Sequence, residues 1–157
     1  GLGDVYKRQA LASVTTHDLP PTAGYLQFEH VQLRERLHLL TESVESFQAS
    51  ATAERQAMLD RLRTLGLISD EEADDADSHI PQIVEAMHAM LRKSPSLLIQ
   101  AALVDGVGER RTQNQPGTSD QYPNWRIPLA DEHGRVVHTD EVFDLPRVKS
   151  LAAIMDA

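Results

Sequence analysis

The first part of the chain shows two different patterns of hydrophobic and polar residues. Residues Leu11 to Thr16 are uncharged and include three β-branched side chains, which is typical of a buried strand, and the turn residues Pro20 and Pro21 follow. From Phe28 to Phe47 the apolar residues recur at helical spacing, with charges on the opposite face. This second pattern predicts one amphipathic helix, or two helices joined near Thr41.

The middle of the chain carries helix boundary signals. An apolar stripe ends at Leu65, and Gly66 follows at the position where a helix C-terminus favours a left-handed residue. Ser69 and Glu72 match a capping box at the start of the acidic segment 70–77. Because this segment lacks the alternating ligands and central glycine of a calcium loop, we interpret its carboxylates as a solvated helix start.

Three further elements are predicted toward the end of the chain. Pro81 suits the first turn of a helix whose apolar face follows it. The apolar run Leu97 to Val104, which ends at Asp105, resembles a buried parallel strand. From Asp140 to Met155 the apolar residues keep a three-residue step, which predicts a terminal helix.

The order of these elements is strand, helices, strand, polar loop and helix. Two buried strands separated by helices are β/α units, but two such units cannot cover both faces of a parallel sheet. We therefore expect an α/β fold whose partner strands are not in this chain, which makes the chain a fragment. No internal repeat or low-complexity linker marks a domain boundary.

The first nine residues differ in character from the rest. The stretch "DVYKRQ", Asp4 to Gln9, looks like one reading frame of a transposase adapter used in sequencing-library preparation. We expect residues 1–9 to be an artefact and the natural sequence to start near Ala10.

Composition excludes several classes of function. The chain has 157 residues, a net charge of −9 and no cysteine. The acidic balance argues against a nucleic-acid partner, because phosphate binding needs clustered Lys and Arg. The lack of cysteine excludes disulfides, thiolate metal sites and cysteine nucleophiles, and it fits a reducing cytoplasm. No apolar run approaches the ~20 residues that span a bilayer, so we expect a cytoplasmic protein without membrane contact.

A histidine and a carboxylate follow the first predicted strand. His17 and Asp18 lie where β/α folds place their active sites, and they could supply a hydrogen-bond donor and a charge-stabilising carboxylate. The structural alternative is that Asp18 caps the turn and His17 packs in the core. The other histidines show no ligand spacing, so no metal site is predicted. His30 and His38 are most simply surface residues.

A second candidate site lies in the polar loop. The stretches 114–118 (NQPGT) and 122–126 (YPNWR) combine neutral amides, an aromatic pair and one arginine, which suits a neutral ligand rich in hydroxyl groups. The alternative is a rigid loop that closes the fold, in which Gly117 supplies a positive φ angle and Trp125 fills an edge of the core.

Both motifs resemble one family. "ASVTTHDLPPTAGY" near the start and "NQPGTSDQYPNWRIPL" near the end are similar to the C-terminal third of amylomaltases, the bacterial 4-α-glucanotransferases. The resemblance runs from about Ala10 to the end of the chain. It implies a (β/α)₈ TIM barrel that transfers α-1,4-glucan segments between maltooligosaccharides by a retaining double displacement, without a cofactor.

The resemblance also assigns elements and residues. Leu11 to Asp18 would be the seventh barrel strand, Leu97 to Asp105 the eighth, and Glu141 to Ile154 the closing helix. The third acidic residue of the family matches Asp18, which would stabilise the transition state, and His17 and Asn114 would bind substrate.

Other family positions fall in the later loop or outside the chain. Thr118, Asn124 and Trp125 match positions where we expect loop architecture more than direct chemistry. The nucleophilic Asp and the acid/base Glu belong to earlier strands and are missing, so we expect this polypeptide alone to be inactive.

Two other classes of function stay open from the residues alone. A stand-alone helical binding module would use the amphipathic faces around residues 28 to 65. A metal-dependent phosphohydrolase built on His17 and Asp18 is weaker, because a second His-Asp pair or a histidine cluster at ligand spacing is lacking.

Overall fold

The computed structural model describes residues 8–156, and its two strands pair with each other. Strand β1 (Leu11–Ser13) runs parallel to β2 (Leu98–Gln100), with the first residues of the two strands opposite each other. The predicted pairing of two parallel strands is therefore confirmed. Of the segment expected to be an artefact, residues 1–7 lie outside the described residues.

Three helices follow β1. They are α1 (Thr22–Leu26), α2 (Glu29–Arg36) and α3 (Val44–Thr64). The predicted helical stretch from Phe28 is thus two helices, as one of the two interpretations proposed. Ser43 caps α3, since its side chain accepts a hydrogen bond from the Ser46 N–H at 3.2 Å.

The boundary signals in the middle of the chain are confirmed. Gly66 ends α3 with a φ angle of 66°. The Ser69 N–H donates to the Glu72 carboxylate at 2.7 Å, and the Glu72 N–H donates to the Ser69 hydroxyl at 3.2 Å, so the capping box is complete. It opens α4 (Asp70–Asp74), which a 3₁₀ turn (Ala76–Ser78) joins to α5 (Ile80–Arg92).

The second half of the chain differs from the prediction in two places. The run Leu97 to Val104 is not one strand, because β2 stops at Gln100 and α6 (Leu103–Val107) begins three residues later. The terminal helix is interrupted, since a 3₁₀ turn (Val142–Asp144) precedes α7 (Pro146–Asp156). Pro146 disfavours helical backbone at the residue before it, and Leu145 accordingly has a ψ angle of 129°.

The main core lies among the helices. Its buried members come from α1, α3, α4, α5 and the connections between them, and they are Ala23, Leu26, Leu59, Leu62, Ile68, Ala73, Ala76, Ile80, Ile83, Val84, Ala86 and Met87. A smaller cluster joins Val107 of α6 to Val137 and Val142. The fold is therefore a helix-rich α/β arrangement whose packing rests mainly on helix-to-helix contacts.

The expectation that both strands are buried is wrong for the described residues. Leu98 is 64% exposed, and Leu11 and Leu97 are also exposed. The physical reason is that the described sheet contains two strands, so most of their apolar side chains have no neighbouring strand or helix to pack against.

His30 is not a surface residue, although His38 is exposed as expected. The His30 ring stacks on Tyr25 with 5.4 Å between ring centroids and meets Phe47 edge-on at 6.2 Å. Its buried Nδ1 has no hydrogen-bond partner among the described residues. Burial, together with the nearby Arg34 charge, lowers the pKa of His30 to about 4.

His30 should therefore make the free energy of unfolding depend on pH under acidic conditions. An unfolded histidine has a pKa near 6.5, whereas the folded value is about 4, so protons bind the unfolded state first. The neutral His30 ring makes its full contribution to the free energy of unfolding above pH 6.5, and this contribution is lost as the pH falls toward 4. We expect the unfolding temperature of His30→Phe to fall less between pH 6.5 and pH 4 than that of the parent protein. A proton NMR titration of the His30 ring with a midpoint near 6.5 would contradict the assignment.

Candidate functional site

A cleft of about 540 Å³ opens beside the carboxyl ends of both strands. Because β1 and β2 are parallel, these ends meet at the same edge of the sheet, which is where α/β folds bind ligands. The cleft brings together residues after β1, residues after β2 and the polar loop. Its lining residues are Thr15, Thr16, His17, Leu19, Pro21, Gln100, Ala101, Ala102, Leu103, Val104, Gln113 and Trp125.

His17 and Asp18 lie in the turn after β1. Their side chains are 63% and 51% exposed, and His17 Nε2 lies 3.2 Å from Asp18 Oδ2. The alternative that places His17 in the core is therefore wrong. The turn itself is held by its backbone and by a buried threonine: the Leu19 N–H donates to the Thr16 carbonyl at 3.1 Å, and the Thr15 hydroxyl donates to the Pro20 carbonyl at 2.8 Å.

Asn114 joins the two sequence motifs. Its Nδ2 donates to Asp18 Oδ1 at 2.6 Å across a sequence separation of 96 residues. Asp18 therefore contacts Asn114 through one oxygen and His17 through the other. Each carboxylate oxygen has two acceptor positions, so each can still accept a hydrogen bond from a ligand.

Thr118 and Asn124 hold the polar loop in shape, as the family resemblance suggested. Asn124 Oδ1 accepts from the Gln115 N–H at 2.7 Å, while its Nδ2 donates to the Thr118 hydroxyl at 2.9 Å. The Thr118 hydroxyl in turn donates to the Gln115 carbonyl at 2.7 Å. Gly117 has the positive φ angle, 84°, that the alternative of a rigid loop required. This loop places Asn114 against Asp18.

Trp125 does not fill an edge of the core. It is 63% exposed, and its ring centroid lies 5.5 Å from that of His17. Its φ angle of 61° is unusual for a residue with a side chain.

The sequence interpretation missed a buried carboxylate that connects the segment after β1 to the segment after β2. Asp105 of α6 accepts hydrogen bonds from the Thr22 N–H at 2.8 Å and the Thr22 hydroxyl at 2.7 Å. Buried His88 of α5 lies 3.5 Å from the same carboxylate. Burial raises the pKa of Asp105, and the two Thr22 hydrogen bonds oppose that rise. The only sequence signal was one carboxylate that follows an apolar run.

A second buried carboxylate, Glu109, was also missed. It accepts the backbone N–H groups of Arg110, Arg111 and Ala130 at 2.9, 2.8 and 3.0 Å. It also receives two hydrogen bonds from the Arg111 guanidinium, at 2.9 and 2.7 Å. Glu109 therefore fastens the start of the polar loop to the segment that leaves it.

The described part of the chain contains no group of three or more His, Cys, Asp or Glu residues that could hold a metal ion. The phosphohydrolase alternative therefore has no ligand set among residues 8–156. Within the same residues, no helix has the length and apolar character needed to cross a membrane.

Comparison with known families identifies one that matches most of the chain. A family model described as 4-alpha-glucanotransferase matches residues 2–133. Curated 4-alpha-glucanotransferases from Mycobacterium bovis and Mycobacterium tuberculosis are each 46% identical over 152 residues, which is 97% of this chain and 20% of the relative. A 4-alpha-glucanotransferase from Haemophilus influenzae is 28% identical over 128 residues, 80% of this chain and 18% of the relative.

Comparison with solved structures identifies the same family. The crystal structure of amylomaltase from Corynebacterium glutamicum superimposes with a TM-score of 0.83 at 37% sequence identity. The match covers 95% of this chain and 23% of that chain. The chain therefore spans about one fifth of the length of the curated relatives it matches.

Proposed function

The chain belongs to the 4-alpha-glucanotransferase family, and on that basis we propose that it is the C-terminal part of the (β/α)₈ barrel of such an enzyme. In this proposal β1 and β2 are the last two barrel strands, and the cleft at their carboxyl ends is part of the substrate groove. The substrates are maltooligosaccharides and other α-1,4-glucans. We propose no cofactor, as the resemblance to the family implies. We also propose no nucleic-acid partner and a cytoplasmic location, because the chain is acidic and lacks cysteine.

One observation carries the proposal. Asp18, His17 and Asn114 come from two distant parts of the chain and meet at the edge of the sheet where barrel enzymes bind substrate. The group offers a carboxylate, an imidazole and an amide, which are suitable partners for sugar hydroxyls. The described residues that line the cleft include no lysine or arginine, which favours a neutral ligand.

The proposed reaction is a retaining double displacement. A carboxylate attacks the anomeric carbon while a second carboxylic acid, ~5–5.5 Å away, protonates the leaving glycosidic oxygen. A hydroxyl group of the acceptor glucan then attacks the anomeric carbon of the glycosyl-enzyme and loses its proton to the same second carboxylate. The bond to the first carboxylate breaks as the new glycosidic bond forms. Both of these acidic residues would lie on earlier strands, outside this chain, so the chain alone would be inactive.

Asp18 would act on the sugar at the cleavage point. Its negative charge lies close to where positive charge develops on the ring, and hydrogen bonds to ring hydroxyls strengthen as the sugar distorts toward the transition state. His17 would bind the same sugar. Asn114 would keep the Asp18 carboxylate oriented, since its amide already occupies one acceptor position on Oδ1.

The proposal can be tested with the complete reading frame that contains this segment. We expect the encoded enzyme to convert maltotriose into glucose and longer maltooligosaccharides, measured by glucose release and chromatography. The segment 10–157 expressed by itself should release no glucose. A complete protein that folds and leaves maltotriose unchanged would contradict the proposal.

The helical binding module is the less favoured alternative. Leu59 and Leu62 of α3 are buried in the main core and are not presented on a free face. Because the apolar side of α3 is already packed, residues 28 to 65 have little apolar helix surface left for a partner.

A further inference from the structure

Trp125 combines an exposed side chain with a strained backbone. It is the single tryptophan of the chain and is 63% exposed, although tryptophan is on average a largely buried residue. Its backbone also has a φ angle of 61°, a left-handed conformation that costs free energy in a residue with a side chain. Strained backbone of this kind persists where the surrounding structure enforces it, and it concentrates at ligand sites.

The surrounding loop does enforce this conformation. The Trp125 N–H donates to the Gln113 carbonyl at 2.9 Å, and the next N–H, of Arg126, donates to the Pro123 carbonyl at 3.1 Å. The side chain of the preceding Asn124 is bonded at both ends, to Gln115 and Thr118. The indole is therefore held at the cleft by a rigid backbone, and it is not a loose side chain at a loop tip.

The position of the indole suits a sugar ring. The Trp125 and His17 ring centroids are 5.5 Å apart with an angle of 39° between the ring planes, and both residues line the cleft. Asp18 is not one of the lining residues, but it contacts His17 through one oxygen and Asn114 through the other. The cleft thus has the His17 imidazole and an exposed aromatic face side by side, and the Asp18 carboxylate lies next to the imidazole.

We propose that Trp125 stacks against a glucose unit adjacent to the one that His17 and Asp18 hold. A pyranose ring has C–H groups on its faces, which pack on the apolar face of an indole while the ring hydroxyls stay in contact with water or polar side chains. Trp125 would then help to set how tightly a glucan chain is held across the site. This inference rests on the proposed function and adds to it a residue that binds a second sugar.

The first readout is steady-state kinetics of the complete enzyme. Trp125→Leu should raise the KM for maltotriose by roughly tenfold or more and change kcat much less, because stacking on a neighbouring sugar contributes to binding more than to chemistry. Trp125→Phe keeps a smaller aromatic face and should give a smaller rise. Phe143→Leu is the matched control: Phe143 is 73% exposed but does not line the cleft, so its KM should equal that of the parent enzyme.

The second readout does not need activity. The enzyme is labelled with 5-fluorotryptophan, and the ¹⁹F resonance that disappears in Trp125→Phe is assigned to Trp125. We expect this resonance to shift when maltotriose is added. If Trp125→Leu fails to fold, the shift still shows whether Trp125 contacts the bound maltotriose.

The two readouts separate this inference from the proposed function. An enzyme that disproportionates maltotriose but whose Trp125 resonance does not move at saturating maltotriose overturns the role of Trp125 and leaves the proposed function intact. If the enzyme is inactive on maltotriose, the proposed function fails. A shift of the resonance would then still support glucan binding at Trp125, and an unmoved resonance would overturn it.

Discussion

Replacement of Asp18 by Asn in the complete enzyme is expected to lower kcat for maltotriose disproportionation by roughly 10²–10⁴-fold. Asn has nearly the same shape as Asp, so the cleft should keep its form while the negative charge is lost. The amide can keep its oxygen toward Asn114 Nδ2 only by turning its own NH₂ group toward His17. In the proposed mechanism the variant would lose both the charge that stabilises the transition state and an acceptor for sugar hydroxyls.

The measurement is initial-rate glucose release over a range of maltotriose concentrations, with unfolding temperatures recorded for each variant. Asp120→Asn serves as the control, since Asp120 is an exposed carboxylate of the polar loop, whereas Asp18 is the carboxylate that contacts His17 and Asn114. Its kcat should match that of the parent. A folded Asp18→Asn enzyme that retains more than about a tenth of the parental kcat would rule out a transition-state role for Asp18.

Replacement of Glu109 by Ala is expected to destabilise the fold by about 3–5 kcal/mol. The substitution leaves three backbone N–H groups and the Arg111 guanidinium without their shared acceptor, while Glu109 itself is almost completely buried. The cost comes mainly from the backbone N–H groups, because the Arg111 side chain is 45% exposed and water can solvate its charge once Glu109 is replaced. Glu109→Gln should cost less, because it keeps an amide oxygen that can accept part of these hydrogen bonds.

The free energy of unfolding is read from denaturant titrations of the complete protein, and kcat is measured alongside. We also expect kcat to fall in Glu109→Ala, since the polar loop that carries Asn114 begins beside Glu109. Glu35→Ala is the control: Glu35 is exposed on α2, and its loss should change the free energy of unfolding by less than about 0.5 kcal/mol. Equal stabilities of Glu109→Ala and the parent would refute the role assigned to this carboxylate.

Buried Asp105 links the site to the second strand in a similar way. Thr22 lies four residues after Asp18 and starts α1, and both of its hydrogen bonds go to Asp105. Asp105 follows β2, and Thr22 follows β1 and Asp18. The hydrogen bonds between Thr22 and Asp105 therefore fix the ends of the two strands relative to each other. The sequence interpretation of Asp105 as the end of a strand missed this, since the interpretation rested on the apolar residues before it.

The sequence by itself determined several helix boundaries and indicated the candidate site residues. The capping box of Ser69 and Glu72, the left-handed Gly66 and the first-turn Pro81 all appear in the structure where the sequence predicts them. Such signals act over at most four residues, so the residues that form their hydrogen bonds can be identified from the sequence alone. The two motifs that contain His17, Asp18 and Asn114 likewise indicated the family before any geometry was known.

Only the tertiary structure decided which of these residues meet and which are buried. The hydrogen bond between Asn114 and Asp18 spans 96 residues, and no local spacing encodes it. His30 is half-buried, Glu109 is buried and Trp125 is exposed, and none of these three findings was predicted from the sequence. Burial depends on the side of each element that other elements cover, and that is settled only when distant segments pack together.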